Sequence, residues 1–103
     1  MNKQEKKMKF KGFPSGKVSF TSLPTLFFSE LLPKIEDIHE LKVTLYALWK
    51  VNQLEGSFRY LRKKDFTEDD YFMVGMGDTP HQRDLALEDG LSRAVERGTL
   101  LRV

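Results

Sequence analysis

The side chains able to do chemistry in this chain are few, and most of them are basic. Cysteine is absent, which excludes a thiolate nucleophile, a disulfide framework and cysteine-bound zinc. The two histidines are His39 and His81. Neither has a second histidine three or four residues away with which to share a metal on one helix face, so a surface or capping role fits both. No Gly-x-Ser-x-Gly turn is present to expose a serine nucleophile. Gly12-Phe-Pro-Ser-Gly16-Lys17 looks like a phosphate loop, but three residues rather than four separate its glycines. Val18 also stands where Ser or Thr would hold magnesium. Glu68-Asp69-Asp70 places three carboxylates in a row. Adjacent helix positions point in different directions, so this run fits a helix start, where acidic groups complement the dipole. The expectation is a chain that is not an enzyme, with no catalytic, metal or cofactor site and no small-molecule substrate.

What remains is positive charge. Residues 1–17 hold six lysines against Glu5 alone, a net +5, and among them Lys6, Lys7, Lys9 and Lys11 are candidate phosphate contacts. The other 86 residues carry 11 basic and 14 acidic side chains, so the body is mildly acidic at −3 although the whole chain is +2. Such an arm either attracts nucleic acid or is a solvated leader. The one compact basic cluster in the body is Arg59, Arg62, Lys63 and Lys64, interleaved with Tyr60. Basic residues at a strand-to-helix junction can grip a phosphate backbone. They equally deter unwanted pairing on an exposed strand edge.

The elements that must position these groups are written in the apolar spacing. Turn-rich Gly12–Gly16 leads to Val18-Ser19-Phe20, a short edge strand or an extended lead-in. A first helix is predicted from about Pro24, capped by Thr21 or Ser22 and ended by Pro33, with Leu26, Phe27, Phe28, Leu31 and Leu32 on its apolar face. A second begins at Asp37-x-x-Glu40, close to a capping box. It draws an apolar stripe through Ile38, Leu41, Leu45, Leu48 and Trp49, while Val43, Tyr46, Ala47 and Val51 fill much of its other side. A helix with so little polar face is either central to the fold or shared with a partner. Phe58-Arg59-Tyr60-Leu61 alternates as a short strand, and Lys63–Met76 reads as a third helix broken by Gly75 and Gly77. The last helix runs from Pro80 to Arg97, with Thr79 at N-cap, Pro80 at N1 and Gln82 at N3. Gly90 in its middle costs roughly 1 kcal/mol against alanine, which points to close helix packing there. Gly98 stops it, and Leu100, Leu101 and Val103 follow as an extended segment.

The order helix-helix-strand-helix-helix-strand predicts a mainly α fold with a small β component, a winged helix-turn-helix. Its organisation would be a basic, flexible arm over residues 1–17 and a winged-helix domain over residues 18–103, its wing cut short at Val103. Three segments carry a resemblance: Phe27-Phe28-Ser-Glu-Leu31-Leu32, Leu41-Lys-Val-Thr-Leu-Tyr-Ala-Leu-Trp49 and Leu91-Ser-Arg-Ala-Val-Glu-Arg-Gly98-Thr-Leu. Through them Ser22–Val103 resembles the N-terminal winged-helix domain of DnaD-type bacterial replication initiation (primosomal) proteins. The resemblance implies a module for self-association or for binding a replication partner, with DNA binding left to a separate domain. The last helix agrees, because Asp84, Glu88, Asp89 and Glu96 outnumber Arg83, Arg93 and Arg97, and carboxylates oppose entry into a DNA groove. Phe27, Phe28, Tyr46 and Trp49 are the candidate interface residues. The alternative is a DNA-binding winged-helix domain using the arm and Arg59, Arg62, Lys63 and Lys64. The chain has no run of the roughly 18 apolar residues a membrane span needs and no secretory h-region, so a cytoplasmic location is expected.

Overall fold

Both ends of the last helix are fixed by local chemistry. The Thr79 hydroxyl accepts from the Gln82 N–H at 3.1 Å, and Pro80 at the first position gives up no helical hydrogen bond. The Gln82 side chain reaches back to the N–H of Asp78 at 3.1 Å, one residue beyond its place in an ordinary capping box. At the other end Gly98 adopts φ +90°, and the N–H groups of Gly98 and Thr99 donate to the carbonyls of Val95 and Ala94 at 3.1 and 3.0 Å. Those two bonds are a complete Schellman motif.

The computed structural model describes residues 9–54 and 60–101. A π-helical turn, Phe27–Leu31, runs into a 3-10 turn, Leu32–Lys34. Four α-helices follow: α1 (Ile38–Gln53), α2 (Lys63–Thr67), α3 (Asp70–Val74) and α4 (Pro80–Arg97). Among the described residues there is no strand.

The winged helix-turn-helix expectation is therefore corrected: the regular structure of the described residues is all helical, with no β component among them. The reason is visible at Gly98. The cap consumes the N–H of Thr99, and the Leu100 N–H also donates to Ala94 at 3.2 Å, so the chain folds back on α4 instead of extending. Leu100 then packs against the core. Val18–Phe20 and Tyr60–Leu61 are not in a strand either, since no described segment pairs with them in a ladder. Phe58, Arg59, Arg102 and Val103 lie outside the described residues.

Two helix boundaries also differ from the sequence reading. Pro33 does not end the first helix but sits inside the 3-10 turn, whose tighter pitch needs no N–H from it. Its start carries no side-chain cap from Thr21 or Ser22. The third expected helix is two helices, because the Asp69 carboxylate accepts from the Phe72 N–H at 3.1 Å and restarts the chain as N-cap of α3.

The core lies where α1 crosses α4 with α2 and α3 packed against them. Val43, Ala47, Phe66, Met76, Ala86 and Leu87 are all at most 5% exposed. The crossing is tight at Gly90. A Cβ built there would stand 2.6 Å from the His39 carbonyl oxygen and 2.7 Å from Val43 Cγ2. The glycine expected to mark close packing does so against the backbone of α1.

Candidate functional site

On α1 the two apolar faces exchange the roles that a simple stripe would assign. The buried side is Glu40, Val43, Thr44, Tyr46 and Ala47. The stripe instead looks outward: Ile38 is 53% exposed, Leu45 37% and Trp49 39%, with Leu41 and Leu48 half-buried at its edge. Spacing alone could not choose between the faces, because both repeat at helical period. Burial went to the side that carries the small residues Ala47 and Thr44, which allow α4 close approach. What is left is an unpartnered apolar row along the longest element of the first half of the fold. Thr44 Oγ1 is buried in this helix without a hydrogen-bond partner among the described residues.

The four candidate interface residues divide accordingly. Phe27 is 4% exposed and Tyr46 9%, so both belong to the interior of one subunit, while Phe28 at 54% and Trp49 face solvent. Tyr46 is the hub of an aromatic cluster, with ring centroids of Phe72, Phe66 and Trp49 at 4.4, 5.2 and 5.5 Å. The Lys50 ammonium stands 4.7 Å from the Trp49 ring centroid, a cation–π contact that joins the stripe to its flank. Beyond Lys50 lies an open groove bearing Asp65, Glu68, Asp69 and Asp70, with the exposed ring of Tyr71 at its side. The face is thus apolar along its centre and acidic at one edge.

Tyr46 fixes that edge. Its hydroxyl donates to Asp69 Oδ2 at 2.6 Å and lies 3.2 Å from the Asp65 carbonyl. Burial, then the hydrogen bond to the Asp69 carboxylate, raises the Tyr46 phenol above its ordinary range. The same bond, with the Phe72 N–H helping, holds the Asp69 carboxyl below the usual carboxylate range. A depressed folded-state value stabilises the fold above the unfolded value near pH 4, and that contribution is lost as pH falls through the folded value. Tyr46→Phe should therefore lower the urea midpoint at pH 7 and narrow the gap from the parent chain below about pH 4. An equal gap at pH 3 and pH 7 would show that the Tyr46–Asp69 bond is not the acid-sensitive contact.

The basic candidates are not gathered into one site. Lys9 and Lys11 are exposed, whereas Lys6, Lys7 and Arg59 lie outside the described residues. The Lys63 ammonium is ion-paired with Glu88 of α4, which raises its pKa. Arg62 lies with its guanidinium 5.9 Å from the Tyr60 ring centroid, and Lys64 is exposed. Of the body cluster, one cation is thus engaged by the very helix that would have to enter DNA.

Sequence reading missed a charged seam between α1 and α4. Glu40 was expected to close a capping box on Asp37; it is instead 1% exposed and accepts from Arg97 Nε at 2.5 Å and Nη2 at 3.1 Å. Between the same two helices, Asp37, His39 and Asp89 bring ligand-type atoms within 4.8 Å of one another. The Arg93 guanidinium, 2.9 Å from Asp89 and 3.8 Å from Asp37, is the cation that balances them. It holds the Asp89 carboxyl below its usual range. His39 therefore takes part in an interhelical network, not a simple cap, and His81 is exposed. The partners are some fifty residues apart in sequence, so no local pattern could reveal them.

A scan of family models gives no match, and comparison with curated proteins and with solved structures finds no similar chain. Among the described residues no helix is long and apolar enough to cross a membrane.

Proposed function

We propose that the chain is a non-enzymatic interaction module that associates with a second copy of itself through the outward apolar face of α1. The single observation that carries this reading is the row Ile38, Leu45 and Trp49, each more than a third exposed on one helix. A contiguous apolar face of this kind on a folded domain marks an interaction surface, and a helix face presented on a rigid scaffold suits pairing with an equivalent helix. On the resemblance of its hydrophobic patterns to those of DnaD-type proteins, such pairing would serve bacterial replication initiation, with a further replication protein as the alternative partner. The role of α4 supports the reading too. Its residues Ala86, Leu87, Gly90 and Ala94 are buried in the interior, and Glu88 and Asp89 pair with Lys63, His39 and Arg93.

The test uses Trp49, the one tryptophan in the chain. Light scattering across concentration should show a monomer–dimer equilibrium, accompanied by a blue shift of Trp49 emission as the ring leaves water. Leu45→Asp should weaken that equilibrium at least tenfold while the far-ultraviolet circular dichroism of the monomer keeps the helical signature of the parent chain. A strict monomer at millimolar concentration would sink the proposal.

The second reading, duplex DNA binding, keeps one specific support: Lys9, Lys11, Arg62 and Lys64 are all exposed. It predicts affinity that falls steeply with salt and drops when Lys9, Lys11, Arg62 and Lys64 are replaced together by glutamine. Retardation of DNA unchanged by that quadruple replacement would dismiss it.

A further inference from the structure

We infer that the occupant of the α1 face includes the lysine-rich arm of the second copy, each arm lying across its partner's Trp49 and along the acidic groove beside it. The inference rests on the self-association reading and names what fills the surface.

Charge complementarity carries it. The arm is +5 over residues 1–17 and the remaining body −3. The groove next to Trp49 concentrates four of the body's carboxylates, Asp65, Glu68, Asp69 and Asp70, against Lys50. The arm is also not merely basic. Lys9-Phe10-Lys11-Gly12-Phe13 alternates cation and aromatic, and Phe10, Phe13 and Phe20 are 68%, 92% and 91% exposed. Phe10 and Phe13 meet edge to face at 5.1 Å yet stay mostly in water, as does Phe20, and these rings match the apolar row also left in water on α1. The arm is rooted in the right place. The Asn52 side-chain amide, one turn beyond Trp49 on α1, donates to the Ser22 carbonyl at 3.3 Å. The segment upstream of Ser22 therefore leaves the body beside the stripe. From residue 21 back to residue 9 an extended chain reaches about 40 Å, enough to cross a two-fold contact onto the neighbouring copy. Symmetry makes the exchange reciprocal, so each dimer contains two arm-to-face contacts.

A charge swap in the full chain tests it. One variant carries Lys9→Glu, Lys11→Glu and Lys17→Glu; the other carries Glu68→Lys and Asp70→Lys, both at exposed positions. Each alone should associate at least tenfold more weakly than the parent chain at low salt. An equimolar mixture should recover a heterodimer, because both arm-to-face pairs in it are again of opposite charge. Unchanged association in both single variants would overturn the arm contact while leaving self-association standing, whereas a monomeric parent chain would overturn both. Failure of the mixture to pair would mean that each arm folds on its own body, and would equally end the inference. As a check that does not depend on the variants folding, a peptide of residues 9–20 added to the parent chain should shift Trp49 emission. The same peptide with both Phe10 and Phe13 replaced by serine should not, and equal shifts from the two would refute the aromatic contact.

Discussion

Replacing Leu87 by alanine is expected to lower the free energy of unfolding by about 2–5 kcal/mol, a large part of what a single domain possesses. Leu87 is wholly buried and sits in the cluster with Val43, Ala47, Phe66 and Met76. Removing its isobutyl group forfeits the transfer of those carbons out of water. It also leaves a cavity, because the surrounding side chains are held on α1, on α2 and in the turn after α3 and cannot collapse together. Urea denaturation followed by far-ultraviolet circular dichroism measures the effect. A loss below about 1 kcal/mol would mean that α4 does not seat on α1 as described.

Gly90→Ala should also destabilise, by about 1–3 kcal/mol, although helix propensity by itself favours alanine over glycine by about 1 kcal/mol. The sign decides which effect wins. The new methyl would stand 2.6 Å from the His39 carbonyl oxygen and 2.9 Å from its carbon. These are backbone atoms inside the first turn of α1, so no rotamer change can relieve the overlap. The helices must separate, and the bonds of the charged seam must lengthen with them. Ser92→Ala, at an exposed position of the same helix, supplies the control and should be neutral or slightly stabilising. Stabilisation by Gly90→Ala would show that the crossing is looser than this geometry.

Both predictions concern residues whose importance the sequence already hinted at, and they show how much it could say. Gly90, in the middle of a strong helical pattern, was a signal because glycine there has a cost that only close packing offsets. Leu87 shares a helical stripe with Leu91, Ala94 and Val95, at i, i+4, i+7 and i+8, and of these Leu87 and Ala94 are completely buried. The caps Asp37, Thr79 and Gly98 were legible for the same reason: a cap is a bond between residues no more than five apart. The expected wing failed for a different reason. Three apolar residues after a glycine stop describe a strand as well as they describe a chain folding back on its helix. The choice depends on whether a partner strand exists, which is a non-local fact.

The candidate surface was legible only in part. The excess of apolar residues around α1 announced that the helix must serve either the core or a partner. It did not announce which face would serve which. Trp49 and Phe28 among the proposed interface residues do face solvent, and Tyr46 and Phe27 do not. Nothing in the chain's spacing separates the two pairs, since Phe27 and Phe28 are neighbours and Tyr46 and Trp49 stand one turn apart.

By itself, then, the amino-acid order determined what is short-range: the start of α1 and both ends of α4, the division into a basic arm and an acidic body, and the absence of any thiol or paired-histidine chemistry. Tertiary structure alone decided which side of α1 is buried, that Glu40 is held by Arg97 rather than by its own helix start, and that His39 meets Asp89 across the crossing. The physical reason is range. A hydrogen bond to a residue three or four positions away is specified by the chain locally, whereas burial and ion pairing follow from which surfaces the folded chain brings face to face.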